Sequence, residues 1–291
     1  MNDTAIAEPE VHRIDDDRGP ALEMLHLPAT AATRHGPPIL LVHGAYTDAW
    51  SWAETFMPYF ASLGYPCWAP TLRGRGASDG GAALDAWGLS DYLNDVSRAQ
   101  ACIGEVPILI GASMGGLLVQ RWLSTRRDAR ACVLIGSIPP VGMTAALMRM
   151  AFGAPRDFFH VMQLAVSGNA DRRFVDLLAK EPIRTRRRGF YRDHLYRESS
   201  RALWELTWLP MVMPTHGVCP VLAMHGEQDR LVPPASVESI ASYFDARVMM
   251  LPDTGHAPML EKNWIQTAEK IAEWITQVLD TQRNANEEKD P

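Results

Sequence analysis

The sequence has little of several features that mark whole classes of proteins. Its four cysteines are Cys67, Cys102, Cys132 and Cys219; no two form a Cys-x-x-Cys pair, and no His/Cys cluster has zinc-ligand spacing. We therefore expect four reduced, buried thiols and no metal site. No apolar run approaches the roughly 20 residues that cross a membrane. The formal net charge of −6 excludes a general attraction to nucleic acid or anionic lipid.

Two further absences concern the N-terminus and a glycine-rich segment. Residues 1–10 contain neither the basic nor the apolar region of a signal peptide, which predicts a cytoplasmic protein. Residues 72–81 are rich in glycine, but they lack the Gly-Lys-Ser/Thr ending of a phosphate-binding loop and do not run directly into a helix. We therefore expect no nucleotide and no other cofactor.

Short apolar runs alternate with helical patterns along most of the chain. They predict strands near 21–28 and at 39–42, 67–69, 108–110, 131–135, 220–224 and 247–251. Most of these runs lack alternating polar residues, which is typical of parallel strands covered on both faces. From 138 to 218 only helical patterns occur. An all-helical insertion in an alternating chain predicts a lid over an α/β core.

This pattern divides the chain into four parts. Residues 1–20 are polar and acidic, and we expect a flexible lead-in there. Residues 21–137 and 219–280 are predicted to form the α/β core, and 138–218 the helical lid. Residues 281–291 are expected to form a flexible, charged tail.

One stretch joins a predicted strand to a predicted helix through Gly111-Ala-Ser-Met-Gly115. Gly-x-Ser-x-Gly in this context is typical of a nucleophile elbow, a turn so sharp that its glycines have no room for a Cβ and its serine is strained. The motif is short enough to occur by chance, so its weight depends on partners. Asp229 and His256 supply them, because each also follows a predicted strand, and sites in open α/β sheets lie at the carboxyl ends of strands.

These motifs together resemble the α/β-hydrolases that carry a helical lid, over residues 21–280. They are His43-Gly44 after a strand, Arg73-Gly-Arg-Gly-Ala-Ser78, Gly111–Gly115, Gly226-Glu-Gln-Asp229 followed by Val232-Pro233, and Gly255-His256. The resemblance implies an α/β-hydrolase fold, a mostly parallel central sheet flanked by helices with an inserted all-helical lid. It also implies site roles: Ser113 as nucleophile, His256 as base, Asp229 as its acid, and the N–H groups of Ala45 and Met114 as oxyanion hole.

Glu227 and Asp253 lie close to Asp229 in the sequence and are alternatives for the acid. The predicted strand after the nucleophile helix leads to residues 136–140, which contain no carboxylate. His43 is expected to orient the oxyanion loop, and His225 to be structural. Haloalkane dehalogenases and epoxide hydrolases of similar fold use an aspartate where this chain has Ser113.

The resemblance favours a serine hydrolase that cleaves a carboxylic ester of a small-to-medium, apolar molecule through an acyl-enzyme; a thioester or lactone would suit the same chemistry. Two alternatives stay open: a C–C bond hydrolase or lyase with the same triad, and a ligand-binding receptor without activity. An apolar pocket is expected to be lined by Tyr46, Met143, Phe158, Phe159, Met162, Trp204 and Trp208. The basic run Arg184–Arg188 is interpreted as a solvated helix face, with binding of a substrate anion as the alternative. The oligomeric state is left open.

Overall fold

The computed structural model describes residues 8–31, 36–167, 172–179 and 194–287. Its centre is a sheet of eight strands in the order β1-β2-β4-β3-β5-β6-β7-β8. The strands are β1 Glu10–Ile14, β2 Leu22–Leu27, β3 Ile39–Val42, β4 Cys67–Pro70, β5 Ile108–Ala112, β6 Ala131–Ile135, β7 Val221–Gly226 and β8 Arg247–Leu251. β2 is antiparallel to β1 and β4, and all pairs from β4 to β8 are parallel. The predicted fold class, a mostly parallel α/β sheet, is confirmed.

Helices cover both faces of this sheet. Within the described ranges they are α1 Trp50–Ala53, α2 Phe56–Ser62, α3 Leu89–Ile103, α4 Met114–Ser124, α5 Thr144–Gly153, α6 Pro155–Ser167, α7 Arg172–Leu178, α8 Ser200–Trp208, α9 Ser236–Phe244 and α10 Trp264–Glu287, with 3₁₀ turns at Gly81–Ala86 and Pro258–Leu260. Successive side chains of a strand point to opposite faces, so β3 serves two cores. Ile39 and Leu41 pack on the face covered by α2 and α10, whereas Leu40 and Val42 pack on the face covered by α3, α4 and α9.

Both predicted ends of the chain need correction. Residues 10–14 were expected to be a flexible lead-in, but they form β1, which pairs antiparallel with β2 at the edge of the sheet. Residues 281–287 were expected to be a tail, but α10 continues through Glu287. In both places polar side chains suggested disorder. The edge strand exposes four of its five residues, and residues 281–285 of the long helix are mostly exposed, so polar composition suits ordered structure there.

The segment between β6 and β7 contains only helices and irregular structure in its described parts, as its sequence pattern predicted. No helix in those parts of the chain that the structure describes is long and apolar enough to cross a membrane. All four cysteines are free. The prediction that all of them are buried is wrong for Cys102, which is exposed, and for Cys219, which is half-buried.

Candidate active site

Ser113 lies at a sharp turn between β5 and α4. Its φ of 53° and ψ of −118° are outside the regions that L-residues normally occupy. A Cβ on Gly111 would lie 2.5 Å from the carbonyl oxygen of Gly115, and one on Gly115 would lie 2.2 Å from that of Val42. Neither position can therefore carry a side chain without a shift of the backbone. The turn has the strained, tightly packed geometry that the Gly-x-Ser-x-Gly motif predicts.

Asp229 and His256 meet across the ends of β7 and β8. The His256 ring nitrogen Nδ1 lies 2.7 Å from Asp229 Oδ2, and both side chains are almost wholly buried. The other carboxylate oxygen, Oδ1, accepts hydrogen bonds from the backbone N–H groups of Leu231 at 2.8 Å and Val232 at 2.9 Å. His225 Nε2 lies 3.1 Å from Oδ2. Four donors thus hold this carboxylate in one orientation.

These donors keep Asp229 ionised. Burial alone would raise its pKa, but the charge of His256 and the hydrogen bonds from His225 and His256 outweigh it and hold the pKa far below its usual range. A carboxylate only accepts hydrogen bonds, so Nδ1 of His256 carries a proton in either form of the ring. In the neutral form, the lone pair is on Nε2. Glu227 and Asp253, which the sequence left as alternatives, are exposed. The structure therefore brings Asp229 to the histidine.

The loop after β3 lies directly against Ser113. A Cβ on Gly44 would be 3.1 Å from Ser113 Cβ. Buried His43 Nε2 accepts a hydrogen bond from the Leu72 N–H at 3.1 Å, so Nδ1 carries the proton and donates to the Gly44 carbonyl at 2.8 Å. Burial, with the nearby Arg75 charge, lowers the pKa of His43 to about 3. A neutral imidazole therefore braces the loop that holds Ala45, as expected of His43.

A cavity of about 580 Å³ opens beside these residues. Ala45, Ser113, Met114 and His256 border it at the sheet, and helices of the 138–218 segment border it opposite. Of the predicted pocket residues, six line it: Tyr46, Met143, Phe158, Met162, Trp204 and Trp208. No Asp, Glu, Lys or Arg side chain occurs among the described lining residues. The cavity is thus apolar, with hydroxyl groups and His256 as its polar features.

Phe159 was predicted to line the pocket and does not. Its side chain is among the exposed large apolar ones, at 72% exposure, whereas its neighbour Phe158 faces the cavity. Consecutive residues of a helix point about 100° apart, and the rotation of α6 about its axis directs Phe158 to the cavity and Phe159 to solvent. The basic run Arg184–Arg188 lies outside the described residues.

A buried ion pair beside the loop after β3 was not predicted from the sequence. Glu198 accepts hydrogen bonds of 2.7 Å from both Arg75 Nη1 and Nη2, and neither side chain is exposed. Glu198 also accepts from the Tyr92 hydroxyl at 2.8 Å and from the Tyr46 N–H at 3.2 Å. Tyr46 has a φ of 64° and follows Ala45 directly. Glu198 is 123 residues from Arg75 in the chain. The Arg73–Ser78 motif drew attention to the arginine, but no sequence pattern indicated Glu198 as its partner.

Comparison with known sequences identifies the family to which the chain belongs. The chain belongs to the alpha/beta hydrolase family, whose sequence profile matches residues 39–270. It is 27% identical to "Epoxide hydrolase 3" of Siraitia grosvenorii over 162 residues, 53% of this chain and 50% of that protein. It is also 27% identical to "Epoxide hydrolase A" of Mycobacterium tuberculosis (strain ATCC 25618 / H37Rv) over 179 residues, 60% of this chain and 53% of that protein.

The chain thus spans about half the length of these curated relatives. Among solved structures, the esterase EaEST from Exiguobacterium antarcticum superposes with a TM-score of 0.69 at 16% identity, covering 92% of this chain and all of the other. At that identity the likeness concerns the fold alone.

Proposed function

We propose that this protein is a serine hydrolase that cleaves a neutral, apolar carboxylic ester through an acyl-enzyme. One observation carries the proposal: a serine held at a strained strand-to-helix turn shares an apolar cavity with a histidine that is bonded to a buried, ionised aspartate. A serine hydroxyl is a weak nucleophile until a base removes its proton, and this arrangement supplies the base.

The proposed reaction has an acylation step and a hydrolysis step. His256 Nε2 takes the Ser113 hydroxyl proton while Oγ attacks the ester carbonyl carbon. The N–H groups of Ala45 and Met114 stabilise the negative oxygen that forms, and His256 returns the proton to the departing alcohol. Water then attacks the acyl carbon with His256 again as base, which releases the acid and restores Ser113. Asp229 stays ionised and stabilises the imidazolium.

The serine favours ester cleavage over the epoxide opening named in the two curated relatives. A carboxylate that opens an epoxide forms an ester, which water can then hydrolyse. Ser113 would instead form an ether, which has no carbonyl for water to attack. The chain therefore lacks, at residue 113, the chemistry that completes an epoxide cycle.

The size and lining of the cavity support a small-to-medium, neutral, apolar substrate. Its volume of about 580 Å³ lies within the 300–1,000 Å³ typical of small-molecule sites. Its described lining contains no charged side chain that would pair with a substrate anion. The apolar lining favours neutral acyl and alcohol groups.

Hydrolysis of p-nitrophenyl esters of increasing acyl length tests the proposal. Ser113→Ala should lower kcat by a factor on the order of 10⁴ or more. Ser239→Ala, the same change on α9 away from the cavity, should leave kcat unchanged. A wild-type protein that neither turns over these esters nor forms a covalent adduct with a fluorophosphonate would refute the esterase assignment.

A second pair of variants tests the acid. Asp229→Asn should lower kcat about 10⁴-fold, because an amide cannot hold the required tautomer of His256. Asp253→Asn, at an exposed position, should stay near wild type. If Asp253→Asn lowers kcat more than Asp229→Asn does, Asp253 is the residue that orients His256.

A further inference from the structure

We propose that Glu10, His12 and His26 form a binding site for a divalent transition-metal ion such as Zn²⁺ at the β1 edge of the sheet. The three side chains offer one carboxylate oxygen and two imidazole nitrogens, and these three atoms all lie within 4.8 Å of one another. Carboxylate and imidazole are the ligands that zinc takes in proteins besides thiolate. This site is separate from the candidate active site, whose residues follow β5, β7 and β8.

The register of the sheet brings these ligands together. Glu10 of β1 is directly opposite His26 of β2 in an antiparallel pair. His12 is two residues beyond Glu10 on the same strand, so its side chain is on the same face and diagonal to His26. His12 and His26 are far apart in sequence, and for this reason no motif spacing revealed the cluster.

The distances suit a shared cation better than direct hydrogen bonds. Glu10 Oε2 lies 3.4 Å from His12 Nε2 and 3.6 Å from His26 Nδ1. Both exceed the usual 2.7–3.2 Å of a hydrogen bond to nitrogen. Ligand atoms at 2.0–2.1 Å from a tetrahedral zinc ion are about 3.4 Å apart. An ion among the three atoms would therefore need only small side-chain rotations.

Packing leaves one ligand fixed and the others free to adjust. The His26 ring stacks on Trp68 of β4, with ring centroids 3.6 Å apart and planes at 14°. Its Nδ1 is buried and makes no hydrogen bond within the part of the chain that the structure describes. The side chains of His12 and Glu10 are 42% and 63% exposed, so both can rotate toward an ion. A water molecule would supply the fourth ligand of a tetrahedral ion.

An ion at this site would join β1 to β2. Its effect would be on folding stability, since a metal that binds the folded chain stabilises it in proportion to RT ln(1 + [M]/Kd). The site gives the edge strand a cross-link that the polar sequence of β1 does not itself provide.

The test is Zn²⁺ titration of the full chain, made without a histidine tag and stripped with EDTA. Calorimetry should show one equivalent bound at this site, and zinc should raise the melting temperature. His12→Ala and Glu10→Gln should each weaken zinc binding at least about 10-fold and remove the rise. Both residues are exposed, so these variants should fold, which far-UV circular dichroism checks. The readout does not require catalytic activity.

His216→Ala is the matched control. His216 is another exposed histidine beside a carboxylate, 2.9 Å from Asp245. Among the residues that the structure describes, it belongs to no three-ligand cluster. The His216→Ala variant should bind zinc with the same affinity as the wild type. The proposal is overturned if wild type binds no stoichiometric zinc with a Kd tighter than on the order of 10 µM, or if His12→Ala binds it equally well.

Discussion

Replacing Arg75 by methionine should destabilise the protein far more than the same change at Arg197. The two arginines make similar contacts: Arg75 donates to Glu198 and Arg197 to Asp85, each at 2.7 Å. They differ in exposure. The side chains of Arg75 and Glu198 are 0% exposed, whereas those of Arg197 and Asp85 are 39% and 50% exposed.

The magnitude follows from that difference. Methionine at residue 75 leaves Glu198 as a buried charge without its cation and removes the hydrogen bond from Arg75 to the Tyr92 hydroxyl, 2.7 Å. Breaking a buried pair by removing one partner costs about 3–5 kcal/mol, whereas an exposed pair contributes about 0.2–1 kcal/mol. Burial alone would lower the pKa of Arg75, but Glu198 and Tyr92 raise it above its ordinary value, in accord with a strongly stabilised cation. We expect the free energy of unfolding to fall by about 3–5 kcal/mol in Arg75→Met.

Urea unfolding at neutral pH measures both variants against wild type. Glu198 also accepts from the Tyr46 N–H beside Ala45, so Arg75→Met should lower kcat for ester hydrolysis even at temperatures where it is folded. Arg197→Met should alter stability by less than about 1 kcal/mol and leave kcat unchanged. Equal losses of unfolding free energy in the two variants would refute the argument from burial.

Two further predictions concern a glycine and a histidine beside the site. Gly136 and Gly104 have φ values of 50° and 73°, and alanine at either should cost about 1–2 kcal/mol of stability. Only Gly136→Ala should also lower kcat, because its Cβ would be 2.9 Å from the carbonyl oxygen of His256. A Cβ at Gly104 would have nothing within 4 Å. Similar kcat values in the two variants would contradict the steric argument. The pKa of His43, about 3 in the fold against 6.5 ordinarily, means that unfolding takes up a proton there as pH falls. The stability that neutral His43 contributes is complete above about pH 6.5 and declines toward pH 3. Between about pH 7 and 5, wild type should therefore lose more unfolding free energy than His43→Gln. Urea unfolding that shows equal losses in the two proteins would exclude this linkage.

Local chemistry made the core of the fold predictable. Runs such as Ile108–Ile110 are buried on both faces and therefore consist of apolar residues, so the parallel strands could be predicted from sequence. The strained turn at Ser113 could be predicted too, because the glycines that permit it lie within two residues of the serine in the sequence. β1 could not, since an exposed edge strand carries the polar residues that also mark disorder.

The parallel strands, the sharp turn at Ser113 and the residue types around it could be predicted from the sequence, because each depends on neighbours in the chain. Contacts between residues far apart in the chain depend on the tertiary structure. It brought Asp229 rather than Asp253 to His256, and it placed Glu198 on Arg75. It also turned Phe159 away from the cavity. Those outcomes depend on the register of strands and the rotation of helices. The sequence offered three carboxylates for His256, and the fold selected Asp229. No motif in the sequence linked Glu198 to Arg75.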